Sequence, residues 1–235
     1  MRFLKVLIVT LAFYGCEEVQ KDATVDDLVV EEEGVAKDFL TEVITRTYAV
    51  KLMDGESKID TLQQIQSITR DSKGKEIGIT SYNLDLSIAW TDQYIYDKDD
   101  NLIGADHFDK GTDNTIYYAY EIDENGRKTS YVAFDHGTDA VLYDGASRYE
   151  EFGQLKKDGY LNEKGNFICN FEYRYDDSGK ELGYVYIDNT SNKRYPSTYK
   201  YADYNDDNQW IKRFVVSDDS VKSIEVREFV KKQAD

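Results

Sequence analysis

Chemistry in this chain would have to come from carboxylates, two histidines, one downstream cysteine and a recurring set of tyrosines. His107 falls in a strand-like run and His136 in the turn of the following repeat. They do not form imidazoles at metal-ligand spacing, and no third nitrogen or thiolate completes a ligand set. Both read as surface or edge histidines. Neither a Gly-x-Ser-x-Gly elbow nor a phosphate-cradling glycine loop occurs. Cys169 alternates with Phe167 and Phe171, the pattern of a buried small hydrophobe and not of a reactive thiol. With 46 Asp plus Glu, a count cannot single out a catalytic acid and base. The expectation is a protein that is not an enzyme and that carries no cofactor and no metal.

Two features suggest binding instead. Tyr94, Tyr120, Tyr173 and Tyr201 recur on every second predicted strand. As a stripe they could stack sugar rings or a partner's side chains, or they could form the core of a curled sheet, since tyrosine buries a large area and sends its hydroxyl to the rim. Asp97, Asp99, Asp100 and Asn101, and likewise Asp203, Asn205, Asp206, Asp207 and Asn208, gather oxygens in short loops. Calcium could use such oxygens, but the glycine and distal glutamate of an EF-hand loop are missing, and hairpin geometry demands the same residues.

The elements that must position these side chains follow from a repeat. Polar turn clusters begin at Asp71, Asp97, Asp123, Glu150, Asp176 and Asn205, spaced 26, 26, 27, 26 and 29 residues apart. A second series at Asn83, Asp109, Asp135, Asn162, Asp188 and Ser217 follows each by 12. The one long interval contains Pro196, the only proline. One and three residues before the first turns stand Tyr96 and Tyr94, Ile122 and Tyr120, Tyr175 and Tyr173, and, with a one-residue irregularity, Tyr204 and Tyr201. Polar or mixed residues lie between them, which is the period-two alternation of a strand with one packed face. Two short turns per repeat leave no room for crossovers, so the sheet is antiparallel. Adding a hairpin of residues 43–70 around Asp54-Gly55, the fold class is all-β, an up-and-down meander of about 13–14 short strands. An open sheet rarely exceeds ~10 strands without curling, so this one is expected to curl around its tyrosine face into a barrel or half-barrel. A flat single layer is the alternative. A membrane-spanning barrel ranks third, because strands of about seven or eight residues fall short of the ~9–11 a bilayer requires.

The rest of the chain bears on location. Arg2 and Lys5 precede an apolar run from Val6 to Tyr14, and Gly15-Cys16 follows. The run is about half of the ~20 residues a spanning helix needs, so residues 1–15 read as a secretory leader. Ala12-Phe13-Tyr14-Gly15-Cys16 resembles a bacterial lipobox and implies lipidation of Cys16. Residues 16–41 form an acidic tether with eight carboxylates between Glu17 and Glu33, with a short helix weighed at residues 35–40, and residues 42–235 form the repeat domain. With Cys16 acylated, Cys169 has no disulfide partner, so stability must come from packing. The net charge of -17 opposes nucleic-acid binding.

Tyr94-Ile95-Tyr96-Asp97, Tyr118-Ala119-Tyr120-Glu121-Ile122-Asp123-Glu124-Asn125-Gly126 and Tyr173-Arg174-Tyr175-Asp176-Asp177-Ser178-Gly179 resemble the YD repeats of the RHS family, over roughly residues 63–230. The resemblance implies a long antiparallel strip that coils into a shell. This chain has a slightly longer repeat and too few copies to enclose a cargo, and no catalytic residue is carried over. Repeats of the MORN and antitoxin type are a weaker likeness. Together these features suggest a lipid-anchored lipoprotein of the outer membrane or surface of a Gram-negative bacterium, bound to the membrane through Cys16. It would act as a protein-binding or scaffold module, with a glycan-binding role through Tyr94, Tyr120, Tyr173 and Tyr201 as the alternative. An antitoxin-like inhibitor is the third reading.

Overall fold

The computed structural model describes residues 39–233. Cys16, the leader and the tether up to residue 38 lie outside this range. The described chain is fourteen strands: β1 (Phe39–Met53), β2 (Glu56–Arg70), β3 (Glu76–Tyr82), β4 (Ile88–Tyr96), β5 (Leu102–Asp109), β6 (Asn114–Ile122) and β7 (Lys128–Asp135). There follow β8 (Val141–Tyr149), β9 (Leu155–Leu161), β10 (Phe167–Tyr175), β11 (Glu181–Asp188), β12 (Lys193–Tyr204), β13 (Trp210–Ser217) and β14 (Ser220–Gln233). Phe39 and Leu40 open β1, so the helix weighed for residues 35–40 does not form at its described end.

Each strand pairs antiparallel with its sequence neighbours, and β14 returns to β1 to close a barrel. The seam runs from Phe39 opposite Gln233 to Ala49 opposite Ser223. Closure leaves no row of unpaired backbone groups at an edge, the physical advantage over the flat-layer alternative.

The two turn series lie at opposite ends of the barrel. In the first series, except at Glu150, an Asx residue holds the turn with its own side chain: Asp123 Oδ1 accepts the N–H groups of Asn125 and Arg127 at 2.9 and 3.0 Å, and Asp176 does the same for Ser178 and Lys180 at 2.9 and 3.0 Å. The fourth turn residue takes positive φ, as at Gly126 (75°) and Asp100 (63°). Asp54 and Gly55, at 55° and 81°, make the tight turn expected of the β1–β2 hairpin.

A β-bulge recurs just inside every first turn. The register slips next to Arg70, Tyr96, Ile122, Tyr149, Tyr175 and Tyr204, opposite Glu76, Leu102, Lys128, Leu155, Glu181 and Trp210. The last site carries a second slip between Tyr201 and Asp203, which is the one-residue irregularity visible in the sequence. Bulges increase local twist and curvature, which a closing sheet requires.

The face that turns inward is the tyrosine face. Val43, Ile68, Arg227 and Phe229 share a cavity with Ser178 and Lys180 from the β10–β11 turn, five strands away round the sheet from β2. Residues so far apart along the wall can meet only across the interior. Register places these side chains on the same face as Tyr201 and its cross-strand partners Arg213 and Glu225. The outer face carries ion pairs, among them Arg46–Glu228 at 2.9 Å and Glu172 held between Lys157 and Arg194 at 2.8 and 3.1 Å.

Candidate functional site: the aromatic interior

Small and large side chains alternate around the inner wall. Tyr94 lies opposite Ala105, Ala105 opposite Tyr118, Tyr118 opposite Ala133, and Ala133 opposite Tyr143. A second row runs Tyr120, Tyr131, Gly145, Tyr160, Cys169. Rings two strands apart therefore close over the small residue between them. The Tyr118 and Tyr143 hydroxyls are 2.6 Å apart across Ala133, and the Tyr131 and Tyr160 ring centroids are 6.5 Å apart across Gly145. Ala105 and Ala133 are fully covered as a result.

Tyr94, Tyr120, Tyr173 and Tyr201 all lie on this face, on β4, β6, β10 and β12. The wall separates them into two pairs and does not gather them into one cluster. All four are half-buried, and burial pushes each phenol above its ordinary range. Tyr201 also donates its hydroxyl to the Glu181 carbonyl at 2.7 Å. The rings that remain open on the inner face and its rim are others: Tyr160, Phe171, Tyr195 and Tyr204, exposed by 44%, 38%, 50% and 40%. Phe171 could have been found from the sequence, since it stands two residues before Tyr173 on the same face. Tyr160 and Tyr195 precede no turn of the first series, so the turn-anchored pattern did not select them.

Polar groups converge at two places on the same wall. In the first, His107 Nδ1 lies 2.6 Å from Asp92 Oδ1, with the Trp90 ring at 5.5 Å, facing a cavity of about 260 Å³. Nearby, Lys128 sits over the Tyr131 ring at 4.7 Å and 3.4 Å from Asp158, which also accepts the Ser147 hydroxyl at 2.6 Å. Burial raises the Asp92 carboxyl, while the hydrogen bond from His107 opposes that rise. This corrects the reading of His107 as a surface residue: β5 turns it inward, where its carboxylate partner fixes its ring and leaves it able to exchange a hydrogen bond with a ligand hydroxyl.

In the second, Arg213 pairs with Glu225 at 2.6 Å and lies 3.6 Å over the Tyr199 ring, while Arg227 lies 3.6 Å over Trp210. Burial, with the neighbouring Arg213 charge, lowers the Arg227 guanidinium to about 10. Glu181 is pushed up by burial, against the pull of Arg213.

Cys169 is a free thiol, half-buried on the inner face and not in a closed core. The Asp-rich turns spend their oxygens on their own backbone: Asp97 Oδ1 accepts from Asp99 and Asn101 at 2.8 and 2.9 Å, and Asn205 Oδ1 from Asp207 and Gln209 at 3.1 and 2.8 Å. Among the described residues no three His, Cys, Asp or Glu side chains converge as a metal site.

No family model and no curated protein matches the sequence. Among solved structures, the chain is similar to a porin-like protein from Bacteroides uniformis, with a TM-score of 0.42 and 10% identity over 81% of this chain and 97% of that one. It is also similar to part of the TcdB2–TccC3–Cdc42 complex, with a TM-score of 0.30 and 13% identity over 77% of this chain and 11% of that one. Likenesses this distant carry no functional argument.

Proposed function

We propose that this chain is a non-enzymatic, lipid-anchored lipoprotein of the cell envelope that acts as a binding module, and that its ligand enters the aromatic interior of the barrel. The observation that carries this reading is the set of open inner rings, Tyr160, Phe171, Tyr195 and Tyr204. Eight strands give a barrel that side chains fill, and sixteen or more leave an aqueous channel. Fourteen strands lie between the two, and here the wall keeps aromatic faces wet. Such rings favour a ligand with C–H faces and many hydroxyls, which is the chemistry of a saccharide. Tyrosine hydroxyls and the His107–Asp92 pair supply polar partners beside them.

The charged outer face favours anchoring over spanning. A cation such as Arg46 or Lys157 turned to the bilayer midplane would cost roughly 2–4 kcal/mol, so the membrane contact belongs to Cys16. A protein-binding scaffold is the second reading, favoured by an outer groove where Val141, Leu142 and Ile168 stand exposed side by side.

A glycan array run beside a pull-down from envelope extracts tests both. Saccharide capture that disappears in Phe171→Ala/Tyr195→Ala supports the interior site. Capture of a protein, lost in Leu142→Asp but kept in the aromatic variant, moves the function to the outer groove. Metabolic labelling with a fatty-acid analogue is expected to mark the wild type and to miss Cys16→Ser; an unlabelled wild type refutes the anchor.

A further inference from the structure

The chain carries a net charge of -17, yet among the described residues the cavity at the mouth where β1 begins is lined by Arg70, Lys180 and Arg227 and by no carboxylate. Its volume is about 460 Å³, within the ~300–1,000 Å³ usual for small-ligand sites. Among the described residues, Lys180 and Arg227 have no carboxylate partner within ion-pair distance. Glu225 is taken by Arg213 at 2.6 Å, and Glu76 is taken by Arg70 at 2.7 Å. Arg227 is held by the Trp210 face and by a 3.4 Å contact from its Nε to Thr45 Oγ1. Lys180 sits 4.0 Å over the Tyr201 ring and donates to the Tyr204 hydroxyl. Glu181 also lies close enough to feel Arg227, and burial disfavours its charged form. Arg70 adds a buried Nε–H with no hydrogen-bond partner.

A desolvated guanidinium and an ammonium around one opening, neither paired with a carboxylate among the described residues, form an arrangement that a neutral ligand does not complete. Guanidinium groups match a carboxylate in planar geometry, and the rings of Trp210 and Phe229 offer apolar surface to the skeleton that carries it. We propose that this mouth binds an anion, and that the ligand class is a carboxylated saccharide whose acid group sits between Arg227 and Lys180. The proposal rests on the reading of the interior as a saccharide site and sharpens it: the sugar rings follow the aromatic wall, and the carboxylate fixes which end of the barrel they enter.

Isothermal titration of the full chain in detergent with an oligogalacturonate, and with a neutral galactose oligomer of the same length, tests both levels. The acidic oligomer is expected to bind at least about tenfold tighter, an advantage that shrinks in concentrated salt as the charges are screened. Lys180→Gln is expected to weaken the acidic ligand about tenfold and the neutral one far less; Arg227→Lys, which keeps the charge and loses the planar fork, should weaken the acidic ligand less than about tenfold. Equal affinity for the two oligomers, or an acidic preference that survives Lys180→Gln and Arg227→Lys intact, overturns the anion site and leaves the saccharide reading standing. Absence of binding by either oligomer counts against both.

Discussion

In four of the repeats a tyrosine hydroxyl ties that repeat to the one before it. Tyr96 donates to the Glu76 carbonyl at 2.5 Å, Tyr149 to Lys128 at 2.9 Å, Tyr175 to Leu155 at 2.9 Å and Tyr201 to Glu181 at 2.7 Å, each reaching back 20 or 21 residues to a carbonyl at the bulge. The slot between Tyr96 and Tyr149 is filled by Ile122, which cannot make the bond to Leu102. Tyr175→Phe is therefore expected to lose about 1 kcal/mol, and Ile122→Tyr to gain a similar amount, shifting Tm by roughly 2–4 °C in opposite directions. A thermal melt followed by circular dichroism measures both; an unchanged Ile122→Tyr would mean that the carbonyl is already satisfied. The phenols also set a limit in alkali. Burial raises Tyr94, Tyr118, Tyr120, Tyr131, Tyr173 and Tyr199 above the ordinary value near 10. A group raised in the folded state contributes stability that is complete below its unfolded pKa and declines as pH climbs beyond it. Phenolate absorbance from these six should thus appear cooperatively, above the ordinary phenol range and together with loss of the far-ultraviolet signal. A single smooth titration with the fold intact would contradict the buried assignment.

At the scale of the element, turn chemistry and bulges determine where each strand starts and which face it shows. Leu86 occupies the positive-φ position of the Asn83 turn at 69°, where an L residue without a polar side chain is strained by roughly 1–2 kcal/mol. Gly126 occupies the same place in the Asp123 turn at 75°. Leu86→Gly should therefore stabilise and Gly126→Ala destabilise, each by about 1 kcal/mol, although an added Cβ would meet no neighbour at Gly126. Chemical denaturation compares the two, and a Gly126→Ala protein as stable as the parent would show that the turn adapts. The glycine of β9 acts differently: a Cβ on Gly159 would run into the Cys169 carbonyl and the Asn170 backbone, so strands β9 and β10 approach there closely enough to exclude any side chain. The 26-residue spacing and the Asx turns made the hairpins readable in advance. The bulges left only one trace, the irregularity at Tyr201–Tyr204, because a bulge costs one residue of register and changes no residue type.

For the whole molecule, the decisive contact is the one between the first and last strands. Phe39 faces Gln233 across the seam, so joining these positions by a short linker and opening the chain at Asp54-Gly55 should give a permuted protein with the same β signal and a Tm close to that of the parent. Loss of cooperative melting in the permutant would mean that the seam is not the closing interface in solution. The sequence by itself determined the hairpins, their antiparallel order and the inward alternation of tyrosine, because turn residues and period-two patterning are local and each repeat states them again. It also placed Tyr94, Tyr120, Tyr173 and Tyr201 on one face. Only the tertiary structure decided that the sheet closes at fourteen strands, that His107 meets Asp92 inside the wall, and that Arg70, Lys180 and Arg227 share one mouth. Asp92 and His107 are cross-strand partners in one hairpin, and closure decides only that they face inward. Arg70, Lys180 and Arg227 lie far apart along the chain and on both sides of the seam, and their meeting depends on curvature summed over many bulged strands, which no single stretch of sequence encodes.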